Sequence, residues 1–419
     1  MSPAYGVLSD DFTGGMLVAG YFETSGIPCP VFFDPDAMVA AAPDTPVVIL
    51  ASRTRLIPAP EAEAEMRRGF DALDALGCGA VAYKACATFD STEQGNIGNA
   101  ADLLADRYGQ TPMLISAGFP DFGLTVHQGH MIQRGVLISD SIKRFDPVTP
   151  MPDPNLVRFL SHQTRTPLGL VSHLDMARGE AAARAALEAR LAEGHRHVML
   201  DASDPADIEM SVTLARGARA IVASDPLIVA FGLDLAAPPA TPVAPPRHAG
   251  GPAALFVGSV GPVAEGQLAA FAAAHPVLTL DLLDETPEAE QIARAIDWAT
   301  PRIGDRAFGV TTWADDPTVR QVQGALGVLG AARKAERLLA GIAAGVHARG
   351  VRRILVGGGE TSGAIVQALG IPRVRPLPLG PLGGGLCVAE GDDPVSFFLK
   401  SGKLGTQDVF LRALTEMQP

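Results

Sequence analysis

Two adjacent carboxylates, Asp10 and Asp11, follow a short apolar run and precede Phe12-Thr13-Gly14-Gly15. In an α/β protein, carboxylates at the C-terminal end of a strand stand where open parallel sheets bind their ligands. The pair has the chemistry to accept a hydroxyl proton or to hold Mg²⁺, although one member could equally cap the helix that follows. Ser52-Arg53-Thr54-Arg55 follow a second apolar run, and an arginine there can grip a carboxylate through two parallel hydrogen bonds. Lys84 closes a third run, with Thr88, Asp90, Ser91, Thr92 and Asn96 close behind. A cation beside hydroxyls and a carboxylate suits a polyhydroxylated anion. The structural alternative makes Asp90 or Ser91 a helix cap and Lys84 a surface charge.

A second kind of chemistry is written in glycine. Val356-Gly357-Gly358-Gly359-Glu360-Thr361-Ser362-Gly363 follows a short apolar run, and Ala364, Ile365, Ala368 and Leu369 then recur at helical spacing. A glycine turn from strand to helix presents unpaired N–H groups at the positive end of the helix, which suits a phosphate. Thr361 or Ser362 is a candidate cap for that helix. Gly258-Ser259-Val260-Gly261 and Leu399-Lys400-Ser401-Gly402-Lys403-Leu404-Gly405 add two more small-residue loops, the second carrying two cations. Single glycine turns are common without a ligand, but three in one domain exceed what an inert fold requires.

Other chemistries are poorly supported. No GxxxxGK[ST] or GxSxG pattern is present, and no GxGxxG is followed by an acid about 20 residues on, so a dehydrogenase ranks lowest. His127-Gln128-Gly129-His130 offers two imidazoles but no third ligand, and reads as neutral polar contacts rather than a metal site. The four cysteines, Cys29, Cys78, Cys86 and Cys387, are scattered without ligand spacing, as expected of a reduced, cytoplasmic chain. A formal net charge of −13 argues against nucleic acid or an acidic membrane as partner, and no apolar run approaches a membrane span.

The elements that must position these residues follow from periodicity. Apolar runs at 6–9, 30–33, 47–51, 80–84, 113–116, 169–171, 197–200 and 220–222 alternate with helical patterns at about 12–26, 60–75, 98–108 and 176–192. The segment 118–153 breaks the rhythm and reads as an inserted hairpin or flap, with a β-like pattern around 125–138. Beyond the proline-rich AAPPATPVAPPRHAGGP at 236–252, strands are expected at 253–257, 277–280, 307–310 and 353–356. An amphipathic helix at about 331–347 carries Leu338, Ile342 and Val346 on one face. At 419 residues, 47% apolar and 19% charged, the chain is globular and too long for one ordinary core. The fold class expected is α/β, with two α/β domains of mostly parallel sheet at 1–238 and 253–419, joined by a linker at 239–252.

These motifs together resemble the four-carbon acid sugar kinase family, formerly a domain of unknown function, and are closest to its 3-oxo-tetronate kinase branch. SDDFTGG resembles the family's ADDFTGA opening, and YKACATFDSTEQGNIG its YK-CSTFDST-GNIG run. FPDFGLTVHQGH, DPVTPMPDPNLVRFL, GSVGPVAEGQ, GGGETSGAIVQALGI and LKSGKLG extend the likeness over most of the chain. The resemblance implies a sugar-acid-binding N-terminal domain, an ATP-binding C-terminal domain and an active site in the cleft between them. Carried over residue by residue, Asp10 and Asp11 are the catalytic candidates. Arg53, Lys84, Asp90, Ser91 and Thr92 match the substrate side, and Ser259, Gly357, Gly358, Gly359, Glu360 and Gly402 the ATP side. ATP with Mg²⁺ is the implied cofactor pair, and a homodimer is the expected assembly. The sequence departs from the family at 139–147, which reads SDSIKRFDP in place of ESG-R-HP. It departs again at Val260-Gly261, at KSGKLG and at 381–386. The expected reaction is phosphorylation of the terminal (C4) hydroxyl of a four-carbon sugar acid, with 3-oxo-tetronate ahead of threonate or erythronate. A non-catalytic binding protein of the same fold stays open.

Overall fold

Short β-branched, apolar runs become strands when both faces are covered, and Tyr5–Ser9 (β1) is buried at every position. Val31–Phe32 (β2), Val47–Ala51 (β3), Ala80–Lys84 (β4) and Met113–Ser116 (β5) are buried likewise. The chain then leaves the sheet for Leu124–His127 (β6), His130–Gln133 (β7) and Val136–Leu137 (β8), and returns as Leu168–Val171 (β9), His197–Leu200 (β10) and Ala220–Ala223 (β11). The computed structural model describes residues 2–146, 148–304, 306–402 and 404–418. It divides into two compact units, Met1–Pro242 and Val243–Pro419.

In the first unit the order β2-β3-β1-β4-β11-β5-β10-β9 is parallel throughout. Register decides what this sheet can do. Ser9 lies opposite Ala51 and Lys84, and Ala223 opposite Lys84 and Ser116, so these strands end level with one another. Asp10, Ser52, Ala85 and Ser224, the residues that follow, share one carboxyl edge. The core beneath combines strand residues such as Leu8, Val48 and Tyr83 with Met66, Phe70 and Leu104 of the helices Ala59–Ala75 and Ile97–Tyr108.

The segment expected as a hairpin is a three-stranded antiparallel sheet, β6-β7-β8. Both its turns place two residues at positive φ, Gln128 (49°) with Gly129 (76°) and Arg134 (50°) with Gly135 (87°). That geometry matches the right-handed twist of a tight hairpin. The single helix expected at 176–192 is two, His173–Met176 and Glu180–Ala192. Gly179 between them, at φ 96°, is outside the right-handed helical region.

The second unit contains Ala253–Val257 (β12), Val277–Thr279 (β13), Phe308–Thr311 (β14), Arg353–Gly357 (β15), Arg373–Pro376 (β16), Leu386–Ala389 (β17) and Val395–Lys400 (β18). The order β13-β14-β12-β15-β18 is parallel, and β17 and β16 continue it antiparallel. Thr311, Val257, Gly357 and Lys400 end level. Leu255, Leu355 and Phe398 pack with Phe271 and Phe410 of the helices Pro262–Ala272 and Val409–Glu416. The expected helix at 331–347 begins three residues earlier, as Val328–His347.

Candidate active site

At the carboxyl edge of the first unit the sequence turns sharply after each strand, and the turns are fastened by side chains. Ser52 donates to Ser9 O from both its N (2.9 Å) and its Oγ (2.7 Å). Asn96, from the loop after β4, donates to Thr54 O (2.6 Å) and Ile57 O (3.0 Å). Thr54 Oγ1 also meets Tyr83 OH at 3.0 Å. The Ser-Arg-Thr-Arg turn is thus held rigidly over β1.

Asp10 and Asp11 share one guanidinium, and it belongs to Arg55. Its Nε and Nη2 contact the two oxygens of Asp10 at 2.8 and 2.9 Å, while Nη1 reaches Asp11 Oδ2 at 2.8 Å. Asp11 also caps the helix Phe12–Thr24, accepting from Gly14 N at 2.7 Å. Burial works against ionisation of Asp11, but the Arg55 and Lys84 charges and the Gly14 N–H outweigh it and lower its pKa. Both roles considered for the pair therefore meet in Asp11, which stays an ionised carboxylate while serving as a cap.

Lys84 is no surface charge. It is 2% exposed, with Nζ 3.5 Å from Asp225 Oδ2. Burial alone would neutralise it, yet Asp225, Asp10 and Asp11 raise its pKa and keep the ammonium charged. Gly14 makes room for it, since a Cβ there would land on both Lys84 Nζ and Asp11 Oδ1. Asp90 caps no helix; Asn96 holds the cap position of Ile97–Tyr108, without a side-chain bond. Instead Asp90 Oδ1 accepts from Thr88 Oγ1 (2.5 Å) and pairs with Lys143 Nζ (2.6 Å), which also reaches Asp146 at 3.2 Å. Burial disfavours the Asp90 carboxylate, but Lys143 and Arg55 more than offset this and lower its pKa. The preceding Phe89 is fully buried at φ 55°, a strained conformation for a bulky residue.

The structure thus brings Asp10, Asp11, Lys84 and Asp90 into one charged group and adds Arg55 and Lys143. Ser91 faces elsewhere. It is buried, and Gln163 Nε2 donates to its Oγ at 2.9 Å and to Thr92 O at 2.6 Å, so that pair ties the loop to the segment after the helix Leu156–Leu160. Arg53 stands half-buried in the same turn as Arg55. The His127–His130 turn is fastened to the sheet by Asp201, which accepts from Gln128 N (2.6 Å) and Gly129 N (2.9 Å). His127 Nδ1 meets Ser203 Oγ at 3.0 Å and His130 Nδ1 meets Gln128 O at 2.8 Å.

In the second unit the three small-residue loops leave adjacent strands β12, β15 and β18. Gly258 N (3.1 Å), Ser259 N (3.3 Å) and Ser259 Oγ (3.1 Å) all donate to Gly357 O, and Gly358 N donates to Lys400 O at 2.9 Å. A Cβ at Gly258 would strike Thr361 Oγ1, and one at Gly402 would strike Ser259 Oγ. Gly358, at φ 134°, is the cap of the helix Gly359–Ala368. Neither Thr361 nor Ser362 caps it. Both lie inside its first turn, and Ser362 Oγ donates back to Gly358 O at 2.7 Å. Gly357, Gly358, Gly359, Glu360, Ser259 and Gly402 therefore gather around one helix N-terminus. The second cation expected in the KSGKLG loop, Lys403, lies outside the described residues.

The first unit is a parallel sheet with a charged carboxyl edge, and the second a mostly parallel sheet with three small-residue loops gathered at one helix N-terminus. Residues 5–230 match the family described as sugar-binding N-terminal domain, and 254–410 match the nucleotide-binding C-terminal domain. The chain belongs to the four-carbon acid sugar kinase family that these two domains make up. It is 35% identical to a 3-oxo-tetronate kinase of Methylobacterium radiotolerans over 100% of both chains. It is 34% identical to one of Burkholderia multivorans, over 98% of this chain and 97% of the relative. A solved structure from Salmonella typhimurium LT2 superposes with a TM-score of 0.82 at 28% identity over 99% of each chain. No helix among the described residues is long and apolar enough to cross a membrane.

Sequence reasoning singled out Arg53 where geometry places Arg55 on the carboxylates, and it assigned no role to Lys143. Arg55 was legible as the second arginine of the same turn. Lys143 had no such signal, because it lies in the segment where periodicity fails.

Proposed function

We propose that this chain is an ATP-dependent kinase that phosphorylates the C4 hydroxyl of a four-carbon sugar acid, with 3-oxo-tetronate as the acceptor. The full-length likeness to 3-oxo-tetronate kinases supports the acceptor. The observation that carries the chemistry is the charged group at the first unit's strand edge, where three carboxylates, Asp10, Asp11 and Asp225, a buried ammonium and a guanidinium are locked by direct contacts.

In this reading Lys84, Arg53 and the Asp90 loop hold the sugar acid. Thr92 borders that loop, and Ser91 keeps its shape through Gln163. The hydroxyl oxygen attacks the γ-phosphorus, its proton passes to a carboxylate, and ADP departs. Asp11 is the better acceptor of that proton, because its side chain is 12% exposed against 3% for Asp10. Asp10, bidentate to Arg55 and the more buried of the two, acts by positioning. Ser259, Gly357, Gly358, Gly359, Glu360 and Gly402 take the triphosphate, whose charge the helix N-terminus and backbone N–H groups balance. Hard carboxylate oxygens suit Mg²⁺, and Asp11 offers the more accessible set. Mg²⁺ would neutralise phosphate charge during transfer. We place the reaction in the cytoplasm.

A coupled assay of ADP release against 3-oxo-tetronates, threonate and erythronate tests this. Turnover is expected with a four-carbon acid and fastest with the 3-oxo acid. ATP binding without turnover on any acid would refute the kinase reading. Asp11→Asn should reduce kcat at least a hundredfold, and unchanged kcat in both it and Asp10→Asn would remove the carboxylates from the mechanism.

A further inference from the structure

Lys400 ends β18 at the carboxyl edge of the second unit, directly opposite Gly357 of the glycine turn. Its neighbour pair on the same face, two residues back, is Phe398 against Leu355, both in the core beneath. The side chain is 7% exposed. Its Nζ has one hydrogen-bond partner among the described residues, Gln267 Oε1 at 3.0 Å, and stands 5.4 Å from the centre of the Phe410 ring. A neutral amide and an aromatic face do not neutralise a buried ammonium, which ordinarily has a carboxylate partner.

Among the described residues no carboxylate pairs with Lys400, and this includes the half-buried Glu360 of the neighbouring helix Gly359–Ala368, which has an interaction of its own. Glu265 of the helix Pro262–Ala272 and Glu416 of Val409–Glu416 are exposed. Arg412 donates to Pro381 O at 3.2 Å, and Asp408 accepts from Thr406 at 2.5 Å. The contrast with Lys84 is direct. Asp225, Asp10 and Asp11 keep that lysine charged, whereas burial alone acts on Lys400 and pushes its pKa down to about 8.

Gln267 links this cation to the loop at 401–406. With Oε1 facing Lys400, its Nε2 donates to Leu404 O (3.0 Å), Gly405 O (3.2 Å) and Thr406 O (3.1 Å). The same loop packs Gly402 against Ser259, whose Oγ donates to Gly357 O. Lys400 is therefore joined through one glutamine and the strand pairing to all three small-residue loops.

We propose that Lys400 is the cation matched to the nucleotide's polyphosphate, so that the second unit selects triphosphate over monophosphate through a charge that has no carboxylate partner among the described residues. This rests on the reading of the three loops as the nucleotide site. It goes beyond the backbone N–H cradle by giving one side chain the discrimination between ATP and AMP. A positively charged Lys400 holds the phosphates, and a neutral one does not. ATP affinity should therefore fall as pH rises through the range in which Lys400 deprotonates, while AMP affinity changes little.

The test is calorimetric titration of the full-length protein with ATP, ADP and AMP between pH 7.5 and 9.5, above the second ionisation of phosphate at about 6. Lys400→Met should weaken ATP by about 10- to 100-fold, the range for one charged hydrogen bond, with AMP changed less than about threefold. Lys400→Arg should keep ATP binding and flatten its pH dependence. Gln267→Leu should weaken all three nucleotides alike, because it loosens the loop rather than removing the charge. Equal losses for ATP and AMP in Lys400→Met, or a wild-type ATP curve flat from pH 7.5 to 9.5, would overturn the assignment. Should Lys400→Met not fold, the wild-type and Lys400→Arg pH curves decide it alone. Absence of ATP binding by the wild-type protein would instead refute the nucleotide-site reading itself.

Discussion

Gly14 and Gly15 are neighbours in the first turn of one helix, and alanine at the two positions should have unequal consequences. Both would gain from lower unfolded-state entropy and better helix propensity, about 1 kcal/mol at most. At Gly15 the new methyl would meet Ser9 Cβ at 3.3 Å, Ile49 Cγ2 at 3.4 Å and Ala51 Cβ at 3.5 Å, contacts that small shifts can absorb. At Gly14 it would land on Lys84 Nζ and Asp11 Oδ1 and come within 3.0 Å of Lys84 Cε. Lys84 is buried and bound to Asp225, so moving its ammonium disturbs an ion pair with no solvent to replace it. Moving Asp11 instead breaks the helix cap, which contributes about 1 kcal/mol, and its contact with Arg55. Adding overpacking of about 1–3 kcal/mol and subtracting the helical gain leaves Gly14→Ala destabilised by about 2 kcal/mol. That corresponds to a fall of roughly 4–8 °C in the melting of the first unit, and kcat with the sugar acid should drop with it. Gly15→Ala should stay within about 1 kcal/mol of the parent. Thermal unfolding by circular dichroism, paired with the coupled assay, compares the two directly. A Gly14→Ala protein as stable and as active as Gly15→Ala would show that the packing of Lys84 and Asp11 about Gly14 does not constrain the site.

Arg55→Met should destabilise by about 3 kcal/mol because it strands the buried Asp10, whereas the parallel change at Arg53 should act mainly on the KM for the sugar acid; urea unfolding and initial rates separate them. Lys143→Met should cost about 2 kcal/mol, tempered by the part exposure of Asp90. Its pH dependence follows from the lowered pKa of Asp90. A carboxylate depressed in the folded state stabilises fully above its unfolded value, about 3.9, and loses that contribution as pH falls through its lower folded value. The stability gap between parent and Lys143→Met should therefore be constant from about pH 5 to 9 and close only below about pH 4. Gly402→Ala should push Ser259 Oγ off Gly357 O and raise the KM for ATP roughly tenfold, leaving the KM for the acid unchanged.

The parallel strands other than β18 were legible because they are buried on both faces and read as unbroken apolar runs, whereas Leu399-Lys400, read as the start of a loop, close β18. The register that levels their ends then carried Asp10, Arg55 and Lys84 to one edge. What sequence could not supply was partnership across distance. Ser91 sits among hydroxyls and looks like a ligand residue, yet its partner Gln163 is 72 positions away. Gln267 is 137 positions from the carbonyl of Leu404 that it holds. The helices Pro205–Ala215 and Asp225–Leu235 open with Pro behind an Asp or Ser cap position, a readable signal. Their apolar residues are spread around the helix, so periodicity gave no amphipathic stripe. The antiparallel strands β16 and β17 were missed because Pro and Gly crowd that region and leave only short apolar runs.

The two units handle charge in different ways, and the ligands proposed for them account for the difference. In the first, Lys84, Arg55 and Lys143 each face a carboxylate within 3.5 Å. A sugar acid brings a single negative charge, so a fully unmatched cluster of three cations would bind any anion and discriminate poorly. Pairing them leaves positioned hydrogen-bond donors and acceptors, which suit a molecule recognised by its hydroxyls as much as by its carboxylate. The second unit keeps Lys400 buried with no carboxylate partner among the described residues, its Nζ against Gln267 Oε1 and the Phe410 ring. A polyphosphate brings several charges and no shape beyond its length, and an unneutralised cation recognises it by charge. On the proposed reading, aspartates are concentrated at the sugar-side edge, while glycines and the buried Lys400 serve the nucleotide.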